Sequence, residues 1–118
     1  MKKNIKTLKK KFRIYSPKIK EECGVFGISN SPEASTLTAL GLHALQHRGQ
    51  EGCGIVSFDG EKYHSEKRFG LVGDNFNNED TIKKLPGKYA IGHNRYSTTG
   101  GKILRNVQPF FADTNAGG

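Results

Sequence analysis

Cys23 and Cys53 are the only cysteines in these 118 residues. Two thiols rule out a disulfide scaffold and are too few for a four-thiolate metal site. No apolar run approaches the ~20 residues that a membrane-spanning helix needs. The 15 glycines follow no triplet, which excludes a collagen-like chain. Acidic side chains are scarce where basic ones crowd. Residues 1–22 hold nine lysines and arginines against Glu21 and Glu22, a net +7 of the chain's +8. Residues 23–118 are left with ten basic and nine acidic side chains. A near-neutral body lacks the basic face that nucleic-acid binding requires, so neither nucleic acid nor membrane is expected as a partner of residues 23–118. The length allows one small domain with a thin core.

Four readings fit the leader. A secretory signal is disfavoured, because no 7–15-residue apolar stretch follows the lysines. Ile5, Leu8 and Phe12 suit a surface-lying helix that Pro17 would end. A targeting peptide and a disordered basic tail are two further readings. The fourth is a propeptide cut off before Cys23.

From Cys23 onward the pattern is α+β. Gly24 to Ile28 is short and apolar, which predicts a buried strand. Ser31, Pro32 and Glu33 form a helix start, and Leu37, Leu40 or Gly41, Ala44 and Leu45 predict its apolar face. Cys53 to Phe58 reads as a second buried strand. Asp59-Gly60 marks a hairpin turn, and Lys62 to Phe69 its half-wet partner. Residues 75–85 carry a weak helical pattern stopped by Pro86, and Tyr89 to His93 predicts another strand. No regular element is expected from Thr98 onward.

Chemistry concentrates at Cys23, the boundary between leader and body. If the leader were removed there, one residue would carry a thiol and a free α-amino group. The amine's ordinary pKa of about 8 lets it take the thiol proton, so nucleophile and base share a residue. Cys53, beside Ile55 and Val56, reads instead as a small core hydrophobe. His43 and His47 stand four apart but lack an acidic neighbour and a third ligand, so no metal site is expected. A Cys23–His93 dyad is left open by the spacing. Arg48 before Gly49, and Arg95 before Tyr96-Ser97-Thr98-Thr99, suit two-point binding of a carboxylate. The alternative is two solvated arginines. Gly100-Gly101 reads as a hinge or a plain turn.

Four blocks together carry a resemblance. They are Glu21-Glu22-Cys23-Gly24-Val25-Phe26-Gly27-Ile28, Leu45-Gln46-His47-Arg48-Gly49-Gln50-Glu51-Gly52, Ile91-Gly92-His93-Asn94-Arg95-Tyr96-Ser97-Thr98-Thr99-Gly100, and Asn106-Val107-Gln108-Pro109-Phe110. Over residues 21–111 the chain resembles the start of the amidophosphoribosyltransferase family, a branch of the class II glutamine amidotransferases. The resemblance implies an N-terminal-nucleophile hydrolase fold, a four-layer α-β-β-α sandwich that is incomplete here. It implies a propeptide at 1–22 and a truncated glutaminase domain at 23–118. It also implies Cys23 as the nucleophile and Arg48, Gly49, Arg95, Tyr96 and Thr98 as glutamine-binding residues, with Arg95 on the α-carboxylate. Glutamine would be the ammonia donor and phosphoribosyl pyrophosphate the acceptor, in a cytoplasmic homo-oligomer that opens purine synthesis. No cofactor is expected in residues 1–118. The resemblance implies magnesium in the transferase domain of the longer enzyme and, in one branch, a 4Fe-4S cluster in the full-length protein. The family's Asn-Gly oxyanion pair has no counterpart in this sequence, so the fragment by itself is expected to be inactive or nearly so. Two alternatives accompany this reading: the glutaminase domain of another class II amidotransferase, and a non-catalytic module with a basic binding tail.

Overall fold

The computed structural model describes residues 23–96 and 103–117. The leader, Thr98 and the glycine pair at 100–101 lie outside them. Four strands form one antiparallel sheet: β1 (Gly24–Ile28), β2 (Gly52–Phe58), β3 (Tyr63–Phe69) and β4 (Tyr89–Arg95), in the order β1-β4-β2-β3. Helix α1 (Ala34–Ala44) joins β1 to a 3-10 turn at Gln46–Arg48. Two short helices, α2 (Val72–Asn75) and α3 (Glu79–Lys83), lead from β3 to β4. A second 3-10 turn covers Leu104–Asn106.

The register sets two faces. Phe26, Ile55 and Gly92 lie side by side across three strands, as do Gly24, Cys53 and Asn94. Helix α1 packs on this face. Gly92 makes room for it, since a Cβ there would lie 2.6 Å from a methyl of Leu42 and 2.8 Å from one of Thr38. Gly41 does the same from the helix, where any Cβ would strike the Phe26 ring. Ala34, Ala39, Leu42, Cys53, Ile55 and Ala90 belong to the resulting core.

The opposite face carries Val25, Ile91, Tyr89, Phe58 and Tyr63. Segment 107–111 crosses one side of it. Any side chain at Gly54 would strike the Gln108 carbonyl, and the Tyr63 and Phe111 rings lie 5.3 Å apart. The Gln108–Pro109 peptide is cis. The rest of this face is open, with Val25 at 70% and Ile91 at 52% exposure.

Two expectations need correction. β1 is a strand but not a buried one. It lies at the sheet edge with a helix over one face only, so Phe26 and Ile28 turn inward while Val25 and Gly27 turn out. The buried face of α1 is also displaced. Ala34, Ser35, Thr38, Ala39 and Leu42 are buried, whereas Leu37 and Leu40 are exposed and Ala44 is solvent-facing. Close approach to the sheet selects small side chains at the contact, and hydrophobicity alone picks the larger leucines. The helix ends at Ala44, which puts His47 in the 3-10 turn and off any common helical face with His43.

The other elements follow their local chemistry. Asp59 accepts hydrogen bonds from the N–H groups of Glu61 and Lys62, and Gly60 takes a φ of 101°, which closes the β2–β3 hairpin over four residues. His64 bonds the same carboxylate at 2.7 Å and, with these N–H groups, holds Asp59 well below the usual carboxylate range. Asn78 caps α3 by accepting from Asp80 N–H. β4 runs two residues past the expected end, to Arg95, because β1 and β2 flank it on both sides up to there.

Candidate active site

Cys23 stands immediately before β1, where the chain turns to follow the edge of β4. Its backbone and that of Arg48 grip each other. The Cys23 N–H donates to the Arg48 carbonyl at 2.8 Å, and Arg48 Nε donates to the Cys23 carbonyl at 2.6 Å. The sulfur is half-exposed and receives the Tyr96 N–H at 3.4 Å. Cys23 also has a φ of 62°, in the left-handed region. For a residue with a β-carbon this conformation costs about 1–2 kcal/mol.

The Arg48 turn is locked from beneath. Gln46 donates to the Gly49 carbonyl at 2.5 Å and accepts the Val72 N–H at 2.6 Å, so one side chain ties the turn to α2. Gly49 then passes tightly against the end of β4. A Cβ there would lie 2.7 Å from the Arg95 carbonyl carbon and 2.9 Å from that of Asn94. These are all backbone atoms of the strand end, which cannot rotate away as a side chain can, so only glycine fits.

Arg95 ends β4 with a mostly buried guanidinium. Its Nε faces a Glu51 carboxylate oxygen at 3.3 Å, and its Nη1 donates to the Asn106 carbonyl at 2.5 Å. The reading of two solvated arginines therefore fails on packing. Both side chains are half-buried or deeper and both hold backbone or carboxylate partners. Tyr96 follows with an exposed ring.

Five expected site residues thus come together. Cys23 meets Arg48 and Tyr96, and Gly49 packs against Arg95; Thr98 is outside the described residues. Gln46, Glu51 and Asn106 were not singled out by sequence reasoning. The one signal for Glu51 is an acidic side chain inside a quoted block, three residues after Arg48. Cys53 is fully buried, and burial pushes its thiol up to about 12, in keeping with a core role.

His93 lies two residues before Arg95 on the same side of β4, opposite Val25 and Gly54. It is 7% exposed and its Nδ1 is buried without a hydrogen-bond partner, so no Cys23–His93 hydrogen bond forms through that nitrogen. Burial first, and the Arg95 charge second, lower its pKa. The unfolded chain therefore takes up the proton at higher pH than the folded one. Stability is full above about 6.5, the ordinary histidine value, and falls as pH drops through the lowered one. Denaturation midpoints of the full-length protein at pH 7.5 and 5.5 check this. The acid loss is expected to shrink in His93→Gln, and an equal loss in both forms would refute the assignment.

Among the described residues no group of three or more histidines, cysteines or carboxylates could hold a metal ion. No helix of the described residues is long and apolar enough to cross a membrane. A cavity of about 220 Å³ separates α1 from α2 and is lined by Leu40, Val72, Phe76 and Ile82, away from the Cys23 cluster.

No family model matches the chain. A solved structure of the allosteric regulatory enzyme of purine biosynthesis superposes with a TM-score of 0.69 at 50% identity, over 77% of this chain and 19% of that one. With the cysteine at the head of the edge strand, this places the chain in the N-terminal-nucleophile hydrolase fold class, an α+β fold of which the described residues form one sheet and one helical layer. Over 98 residues the chain is 62% identical to the amidophosphoribosyltransferase of Rhizobium etli, across 83% of this chain and 20% of that protein. It is 55% identical over 100 residues to the chloroplastic amidophosphoribosyltransferase 3 of Arabidopsis thaliana, across 85% and 19%. The glutamine phosphoribosylpyrophosphate amidotransferase of B. subtilis superposes with a TM-score of 0.66 at 50% identity, covering 77% of this chain and 19% of that one. The chain belongs to the amidophosphoribosyltransferase family. It spans about a fifth of the length of these relatives.

Proposed function

We propose that residues 23–118 carry the nucleophile of a glutaminase that supplies ammonia for transfer to phosphoribosyl pyrophosphate, in the first committed amination of purine synthesis. The reciprocal grip of Arg48 on Cys23, with the Tyr96 N–H on the sulfur, is the observation that carries this reading. Two bonds from Arg48 fix the backbone of a single cysteine, and a third, from Tyr96, meets its sulfur, which stays half-exposed.

Removal of residues 1–22 completes the chemistry. The left-handed φ of Cys23 is defined only while residue 22 is attached, so cutting that bond releases the strain. The new amine keeps a hydrogen on the Arg48 carbonyl and, when neutral, has a lone pair for the thiol proton. Sulfur attacks the side-chain amide carbon of glutamine. The C–N bond then breaks, ammonia leaves with the transferred proton, and a glutamyl thioester is left. Water cleaves that thioester to glutamate and restores the thiol. Arg95 binds the α-carboxylate of glutamine, and Thr98 belongs to the same binding segment. The oxyanion of the tetrahedral step needs preorganised donors, and no Asn-Gly dipeptide occurs in the sequence. These 118 residues alone are therefore expected to release little or no glutamate. Two free thiols fit a reducing, cytoplasmic setting.

Mass spectrometry of the active full-length protein, with glutamate release measured alongside, tests the reading. The expected mature N-terminus is Cys23. Full glutaminase activity with residues 1–22 still attached would overturn it.

A further inference from the structure

Glu51 holds residue 95 at two points. Its backbone N–H donates to the Arg95 carbonyl at 3.1 Å, while its carboxylate lies 3.3 Å from Arg95 Nε. Both side chains are largely buried, at 12% and 15% exposure. The Arg95 carbonyl and the Tyr96 N–H belong to one peptide group. That group accepts from Glu51 on its oxygen side and donates to the Cys23 sulfur on its nitrogen side. Asn106 adds a third restraint through Nη1.

We infer that Glu51 is a positioning residue for the glutaminase reaction: its carboxylate sets the plane in which the Arg95 guanidinium meets the substrate carboxylate. This rests on the function proposed above. A guanidinium binds a carboxylate with two parallel hydrogen bonds only when its plane is correctly turned. Arginine has many rotamers, and one buried charged partner on Nε removes most of them. The orientation is thus prepared before glutamine arrives, and the cost of ordering the side chain is not taken from binding.

The test uses the full-length protein, glutamine, and 4-aminobutanamide, which lacks the α-carboxylate. Glu51→Gln is close to isosteric and removes the charge. It is expected to raise the glutamine KM about tenfold, the effect of a modest misplacement of a binding group, with kcat changed much less. Hydrolysis of 4-aminobutanamide should be unchanged, because that substrate makes no use of Arg95. Glu51→Asp, with a shorter arm, should give a smaller rise in the same direction. An unchanged or lowered glutamine KM overturns the inference. So does an equal loss on both substrates, which would mark a purely structural role. If Glu51→Gln fails to fold, the same comparison in Glu51→Asp decides. Cys23→Ala is assayed in parallel. Retained glutamine hydrolysis there would sink the functional reading itself, whereas an inactive Cys23→Ala beside an unaltered Glu51→Gln would sink only the role of Glu51.

Discussion

Cys23→Ala in the full-length protein is expected to lower glutamine hydrolysis by about 10³-fold or more, the scale on which loss of a covalent nucleophile is felt. The fold should be nearly unaffected. The Cys23 side chain is half-exposed, and its tie to the sheet runs through backbone atoms that alanine retains. Activity should therefore vanish while the thermal midpoint moves little. Addition of ammonia in place of glutamine should bypass the defect, because the lost step is the one that makes ammonia. Glutamate release within tenfold of the original would show that another group performs the attack.

Gly49→Ala should be the most damaging change among the binding residues. A methyl there would lie 2.7 Å from one backbone carbon of β4 and 2.9 Å from another. Neither can rotate away, so the turn or the strand must move. Overpacking of this kind costs about 1–3 kcal/mol of stability. The catalytic penalty should be larger. Gly49 directly follows Arg48 and abuts Arg95, so one displacement disturbs the clamp on Cys23 and the carboxylate-binding arginine together. Misplacement by about 1 Å can cost 10² in rate. Denaturation midpoints and glutamate release measured on the same sample check both parts. Near-original values for both would show that the loop yields without affecting the site.

The elements were readable where local pattern and packing agree. Cys53 to Phe58 is apolar apart from Ser57 because β2 is an inner strand, with α1 over one face and segment 107–111 against the other. The Asp59-Gly60 turn was visible because its chemistry is contained in four residues. Helix α1 was legible in extent and mistaken in orientation. Which residues face inward depends on Phe26 and Gly92, which the sequence places far from the helix residues they meet. At the site, the residue types of Cys23, Arg48, Gly49 and Arg95 stood out, but Gln46 and Glu51 did not. Their roles lie in bonds to Val72 and Arg95, 26 and 44 positions away.

The sequence by itself determined the α+β pattern, the sharp charge boundary at Cys23 and the motifs that placed the chain in its family, since each of these is a local property of residue type and order. Only the tertiary structure decided that Arg48 grips the backbone of Cys23, that Tyr96 N–H meets the sulfur and that Glu51 holds Arg95. The antiparallel pairing of β1 and β2 with β4 brings those residues together across the chain, and no short-range pattern encodes the register that does so.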